Sequence, residues 1–228
     1  MGLCSQKATP VHQIFLLWTI QQAYDSRCYG LQEVVIMQER IRINKVETLS
    51  DDWYVLKKTT FDYQRKDGTW QTQSRETYDR GNGATILLYN RTKRTVILTR
   101  QFRYPVYVNN HSGILIEACA GLLDENNPED CIKRETEEET GYTINHVTKV
   151  FEAFMSPGSV TEKLFFFVAE YSDENKGGLG GGLESDGEDI DVLELDFDTA
   201  LRMIETGEIM DAKTILLLYH IEMQALLS

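Results

Sequence analysis

Cysteine and histidine pairs at metal-ligand spacing are missing from this chain. Cys4, Cys28, Cys119 and Cys131 form no C-x-x-C, and His12, His111, His146 and His220 form neither H-x-x-H nor H-E-x-x-H. Their absence argues against structural zinc and against a disulfide framework, and the thiols suit a reducing cytoplasm. Cys119 falls in an apolar strand-like run, where a buried, inert thiol is the ordinary reading. Long apolar runs are missing too. A bilayer span takes roughly 18 apolar residues, and the early run Ile14 to Ile20 stops well short of that. Only Lys7 precedes it and Gln21-Gln22 follow it, which is not the pattern of a secretory signal. Positive charge is scarce: 23 Lys and Arg face 36 Asp and Glu, for a net charge of -13. A broad grip on nucleic acid needs cations to neutralise phosphates, so neither nucleic acid nor membrane is expected as a partner. A small anionic substrate remains compatible if a metal screens the carboxylates.

The 228 residues suffice for one domain of ordinary size, or for a domain with an appendage. From Ile41 onward the pattern is mainly strands punctuated by turn chemistry. Residues 53–64 and 71–79 flank Lys66-Asp67-Gly68, a glycine-containing hairpin signal. A break at Arg80-Gly81-Asn82-Gly83 precedes a second hairpin, Ala84 to Tyr89 and Thr95 to Thr99, and Ile114 to Cys119 predicts a further strand. Pro128 fits a first helical position and Gly141 a helix end. Val147 to Met155, Lys163 to Tyr171 and Ile190 to Leu195 return to strand character, with Phe165-Phe166-Phe167 expected in the core. Gly177 to Gly187 carries six glycines and no apolar period, which predicts a mobile loop. Asp198 is expected to cap a helix through Ile204, and Asp211 one through Leu227 that packs through Leu216, Tyr219, Met223 and Leu226. A mixed sheet with helices on both faces follows.

Within the helix from Pro128 the acids crowd together in Arg134-Glu135-Thr136-Glu137-Glu138-Glu139-Thr140-Gly141. Side chains three and four apart share a helical face, so Glu135, Glu138 and Glu139 converge. Such a cluster repels itself unless a cation sits among the oxygens, and all-oxygen ligation suits Mg2+ or Mn2+ rather than zinc. The plainer alternative is a solvated helix face.

Gly121, Arg134-Glu135, Glu138-Glu139 and Gly141 together resemble a Nudix box, the loop and helix that bind divalent metal in nucleoside diphosphate hydrolases. The match departs from the general pattern in a Gly-to-Arg interval one residue short, Asn127 where Glu is usual, and Thr136 for an aliphatic residue. Further segments extend it: Tyr78 to Ala84, Arg100-Gln101-Phe102-Arg103, Cys119 to Asp124, Met155-Ser156-Pro157-Gly158 and Asp211-Ala212-Lys213-Thr214. With these the chain is similar to the GDP-mannose hydrolase branch of the ADP-ribose pyrophosphatase-like Nudix enzymes, where a short box and a long glycine loop are expected. The resemblance runs from about Met37, where such proteins begin, to the end of the chain. Residues 1–36 are then an added arm or, the preferred reading, a consequence of an upstream start codon.

The resemblance implies a Nudix fold, an α/β/α sandwich with a mixed sheet over 81–228, preceded at 37–80 by antiparallel strands used in dimerisation. It implies a cytoplasmic homodimer with exchanged N-terminal strands and a nucleotide sugar as substrate. The activity expected is Mg2+-dependent hydrolysis of GDP-mannose to GMP and mannose 1-phosphate, with Mn2+ as an alternative metal. Glu135, Glu139 and the Ala120 carbonyl are implied as metal ligands. Glu138 supports the site or shares a metal, held by Arg134, for which a surface ion pair is the alternative. Glu188 completes the metal site or serves as general base; sequence leaves both open. Arg103, Glu162 and Lys213 align with substrate contacts, as do Ala120, Gly121, Leu122, Glu139, Gly187 and Glu188. Trp53, Ser74, Arg75 and Glu76 would serve the neighbouring chain's substrate, Trp53 by stacking on guanine unless it packs in a core. The alternatives are ADP-ribose or another nucleoside diphosphate sugar as substrate, and a non-catalytic nucleotide-sugar sensor.

Overall fold

A computed structural model describes residues 39–123 and 127–227. The N-terminal arm at 1–36, Cys4, His12, Cys28, Met37 and Asp124 lie outside the described residues. The chain divides into two compact units. The first comprises Leu56–Thr77 and the described residues up to Asp52; the second comprises Trp53–Val55 and Tyr78 onward.

In the N-terminal region β1 (Ile41–Asp51), β2 (Val55–Gln64) and β3 (Trp70–Asp79) form a three-stranded antiparallel sheet in that order. The β2–β3 turn closes where expected, with Arg65 donating to the Thr69 carbonyl at 2.8 Å and Gly68 at φ 85. Arg42 stacks over Trp70 at 3.8 Å, covering an aromatic face that three strands alone cannot bury. Ile43, Val46 and Leu49 of β1 remain exposed.

The second unit is built on a seven-stranded sheet. Its strands are β4 (Gly83–Asn90), β5 (Thr95–Phe102), β6 (Ile114–Glu117), β7 (Cys119–Leu122), β8 (Thr148–Phe154), β9 (Lys163–Glu170) and β10 (Asp191–Asp196). The order is β10-β5-β4-β9-β8, with β6 on β5 and β7 on β4. Only β4 and β9 pair in parallel among these strands, which makes the sheet mixed. Every residue of β4 is buried because strands flank it and helices cover both its faces. Its alternation sends Leu87 and Tyr89 to one side and Ala84, Ile86 and Leu88 to the other. The first side packs on α3 (Phe197–Thr206) and α4 (Ala212–Met223) through Phe197, Ala200, Leu217, Leu218 and Ile221. The second packs on Ile132 of α2 (Pro128–Thr140), with Tyr142 and Ile144 beyond it. Burying each such Leu or Ile contributes roughly 1.5–3 kcal/mol. A four-residue helix, α1 (Tyr104–Tyr107), follows β5. No helix among the described residues is long and apolar enough to cross a membrane.

Three sequence expectations are corrected. The run Ile114 to Cys119 is two strands, because Ala118 donates its amide to Thr214 Oγ1 at 2.7 Å and the chain passes there from β5 to β4. The cap of α3 is Asp196, whose side chain accepts the Thr199 amide; Asp198 lies inside the first turn. On α4 the buried stripe is Leu217, Leu218 and Ile221, while Leu216, Tyr219 and Met223 are exposed, Met223 at 81%. Apolar residues fill most of that helix, so spacing alone did not single out its inward face. Leu226 does pack against the core.

Candidate active site

Asn127 accepts the amides of Glu129 and Asp130 and starts α2, which explains an amide residue at this point. Thr136 is fully buried, its hydroxyl satisfied by the Ile132 carbonyl at 2.6 Å, so a polar residue fits where an aliphatic one was expected. With Thr136 inward, Glu139 is buried beside it, and Glu135 and Glu138 follow toward the partly exposed side of the helix. Arg134 donates to Glu135 at 2.8 Å and to Glu138 at 3.0 Å. One guanidinium thus holds both carboxylates, at a half-exposed position that a surface ion pair would also occupy.

Glu135 lies across β7. A Cβ on Gly121 would fall inside the Glu135 carboxyl group, so only glycine permits this approach. Glu139 is 2% exposed, and its Oε2 has no hydrogen-bond partner among the described residues. Burial pushes its pKa up to about 7; the Cys119 thiol works against the rise, Glu135 and Glu188 add to it, and Arg103 opposes it. Burial, and then the Glu139 charge, push the Cys119 thiol well up, consistent with an inert cysteine.

The glycine-rich segment places Glu188. The last carbonyls of a helix lack intrahelical partners, and here Gly182 donates to Glu138 O at 3.1 Å, Gly181 to Glu139 O at 2.9 Å and Gly178 to Gly141 O at 3.2 Å. Gly180 and Gly182 take φ of 70 and 79, and a Cβ on Gly180 would sit 2.5 Å from Glu139 O. The segment expected to be mobile is thus bonded along the end of α2. Glu188 closes it by accepting the Leu183 amide at 2.9 Å, and Gly187 ends the short turn before it.

Facing this acidic edge are cations. Arg103 and Lys213 meet on the Glu117 carboxylate, at 2.7 Å to Oε2 and 2.5 Å to Oε1. Asp211 binds Lys213 at 3.0 Å. Glu162 pairs with Arg80 at 3.5 Å, and a Cβ on Gly83 would meet both the Glu162 carboxylate and the Gly121 carbonyl. Ala120, Gly121 and Leu122 are half-buried in β7. Within the second unit, Glu139 feels the charges of Glu135, Glu188 and Arg103, Arg134 joins Glu135 to Glu138, Glu117 joins Arg103 to Lys213, and Glu162 borders Gly83. Ser74, Arg75 and Glu76 are exposed on β3 of the first unit, where Ser74 bonds Thr60 at 2.9 Å and Arg75 bonds Gln73 at 2.9 Å. Trp53 is 82% exposed, which removes the core-packing alternative within one chain.

Glu117 was missed by sequence reasoning, and Asp211 was read as a cap and as part of a resembling segment. Lys213 stands 96 residues from Glu117 and Arg103 stands 14 from it, so no local spacing signals that Glu117 joins them.

The acidic edge offers hard oxygen donors and a buried, unpartnered carboxylate oxygen, the chemistry that Mg2+ or Mn2+ takes. Among the described residues, no three His, Cys, Asp or Glu side chains close tightly enough to cage an ion by themselves. The fit therefore rests on donor type and on the orphaned oxygen of Glu139.

A mixed sheet covered by helices, with an acidic edge along α2, is the frame in which comparison with known proteins gives the family. Residues 79–215 match the NUDIX domain and residues 40–78 the GDP-mannose pyrophosphatase NudK N-terminal domain. The chain belongs to the Nudix family. It is 57% identical over 185 residues to a GDP-mannose pyrophosphatase of Pectobacterium atrosepticum, covering 81% of this chain and 95% of that protein. It is 55% identical over 192 residues to the protein of that name from Escherichia coli O157:H7, covering 84% and 100%. Among solved structures, one described as an ADP compounds hydrolase superposes with a TM-score of 0.61 at 18% identity, covering 81% of this chain and 94% of that one, a likeness of fold. Nudix hydrolases generally use divalent cations.

Proposed function

We propose that this protein hydrolyses the diphosphate of GDP-mannose to GMP and mannose 1-phosphate. A water oxygen bonds to one phosphorus as the bridging P–O bond breaks, and the water's proton leaves through a base or solvent. The observation that carries the reading is the buried Glu139 carboxylate, whose Oε2 has no partner among the described residues and which feels the charges of Glu135, Glu188 and Arg103. The shared name and 55–57% identity of the relatives support the choice of substrate.

Mg2+ or Mn2+, held by Glu135, Glu139, Glu188 and the Ala120 carbonyl, would neutralise the diphosphate and acidify the attacking water. Arg134 keeps Glu135 and Glu138 in place. Arg103 and Lys213 supply positive charge to the phosphates, and Gly121 with Leu122 lets backbone approach them. Glu162 and Gly187 border the bound sugar nucleotide. Glu188 either completes the ligand set or takes the water's proton. Residues 37–80 serve as dimerisation strands of a cytoplasmic homodimer, so that Trp53, Ser74, Arg75 and Glu76 reach the neighbouring protomer's substrate, with 81–228 as the catalytic domain.

Product analysis with Mg2+ on a panel of sugar nucleotides tests this reading. Release of GMP and mannose 1-phosphate from GDP-mannose is expected at the highest kcat/KM. A preference for ADP-ribose above about tenfold, roughly 1.4 kcal/mol of discrimination, would overturn the substrate. Binding without any hydrolysis would point to a sensor.

A further inference from the structure

The proposed chemistry uses Arg103 and Lys213 but not the carboxylate that joins them. Glu117 is 3% exposed, and both its oxygens are engaged, Oε2 by Arg103 Nε and Oε1 by Lys213 Nζ. A lone carboxylate at that depth would cost several kcal/mol. Burial works to raise the Glu117 pKa, but Lys213 and then Arg103 overcome it and hold the carboxyl below its ordinary range. The chain of bonds continues. Lys213 also binds Asp211, Asp211 accepts the Thr214 amide at 3.0 Å, and Thr214 Oγ1 accepts the Ala118 amide at 2.7 Å. Glu117 is thereby tied to the start of α4 and, one residue on, to the backbone leading into β7.

The way Arg103 is held decides what it can do. Its Nε donates to Glu117, and its terminal Nη groups make no hydrogen bond among the described residues. The guanidinium lies near enough to Glu139 and Asp211 to feel their charges. A guanidinium fixed along its Nε edge presents the Nη pair as a fork, which matches two oxygens of a diphosphate. Lys213 is placed differently. Its ammonium donates to Glu117 and forms an ion pair with Asp211 at a nearly buried position, so it acts chiefly as the anchor for the second Glu117 oxygen.

We infer that Glu117 is a positioning residue for Arg103: it clamps the Nε edge so that the Nη fork points toward the diphosphate, with Lys213 and Asp211 fixing Glu117 in turn. The inference rests on Arg103 being a diphosphate contact. Neither an isolated Glu nor an isolated Arg would carry it; the shared carboxylate does.

The experiment compares Glu117→Gln, Arg103→Ala and the double variant in Mg2+-dependent GDP-mannose hydrolysis. Arg103→Ala should raise KM by about tenfold or more. Glu117→Gln should raise KM by a similar factor while kcat falls less than about threefold and the Mg2+ activation constant stays put. The double variant should lose no more than about twofold beyond the larger single loss, because Glu117 acts through Arg103. Multiplying losses, or a Glu117→Gln variant with unchanged KM, would overturn the inference while leaving Arg103 as a contact. An Arg103→Ala variant with unchanged KM would instead remove the contact on which it stands. Should Glu117→Gln fail to fold, the arginine Nε–H resonance of Arg103 in the intact protein decides. It is expected to stay protected from exchange with water before and after addition of GDP, with the Nη signals shifting. Rapid exchange of Nε–H would overturn the clamp.

Discussion

Glu117 at the end of β6 and Glu139 in the last turn of α2 are about equally hidden from water, 3% and 2% exposed, under opposite conditions. Glu117 has a cation on each oxygen and is held below its ordinary pKa despite burial. Glu139 has Glu135 and Glu188 for neighbours and an oxygen with no partner among the described residues, and burial raises it to about 7. Burying a carboxylate is costly unless it is paired. At the end of β6 the protein offsets that cost internally and gains a rigid cationic wall. On α2 it leaves the cost in place, which makes the acidic edge the part of the fold that a cation completes.

The comparison breaks first at Glu139. Glu139→Gln removes the ligand charge while keeping the shape, and Mg2+-dependent GMP release should fall about 10³-fold or more, roughly 4 kcal/mol. Undiminished release would end the metal-site reading. The same variant reverses a stability penalty. An acid whose folded pKa is raised carries no penalty below its ordinary 4.5 and the full penalty above about 7, so in chelator the wild type loses stability as pH rises through that window. The loss is roughly 3 kcal/mol. In urea titrations with chelator, Glu139→Gln should match the wild type near pH 4.5 and exceed it at pH 8. Parallel curves at all pH values would show that Glu139 is not strained.

Away from the acids, Leu217→Ala should cost about 3 kcal/mol of stability by opening a cavity beneath α4. Leu216→Ala should change stability by less than about 0.5 kcal/mol. Equal losses would contradict the inward face assigned to that helix. A further change sharpens the acidic side alone: a Cβ at Gly182 would stand 2.5 Å from Glu188 Oε2, at φ 79. Gly182→Ala should lower kcat about 30-fold, roughly 2 kcal/mol, with the fold intact by circular dichroism. An unchanged kcat would mean that the placement of Glu188 does not matter.

Much of this was legible in the sequence, for local reasons. Proline at the first position and glycine at the end of α2 are signals of neighbouring backbone, and the convergence of Glu135, Glu138 and Glu139 follows from helical period alone. The hairpin at Lys66-Asp67-Gly68 is likewise a matter of adjacent residues. What escaped was fixed at a distance. Glu117 reads as one polar residue in an apolar strand until Arg103 and Lys213 are brought to it by the sheet and α4. The glycines of 177–187 read as slack until the carbonyls at the end of α2 appear as their partners. On α4 too many positions are apolar for periodicity to choose a face, and the sheet beneath chooses it.

Binding of Mn2+ followed by electron paramagnetic resonance, on the wild type and on Glu139→Gln, tests the central claim most directly. The account predicts that the wild type removes the free Mn2+ signal as sites fill and that the variant binds at least about tenfold more weakly, a loss of roughly 1.4 kcal/mol. Superimposable binding curves would contradict it.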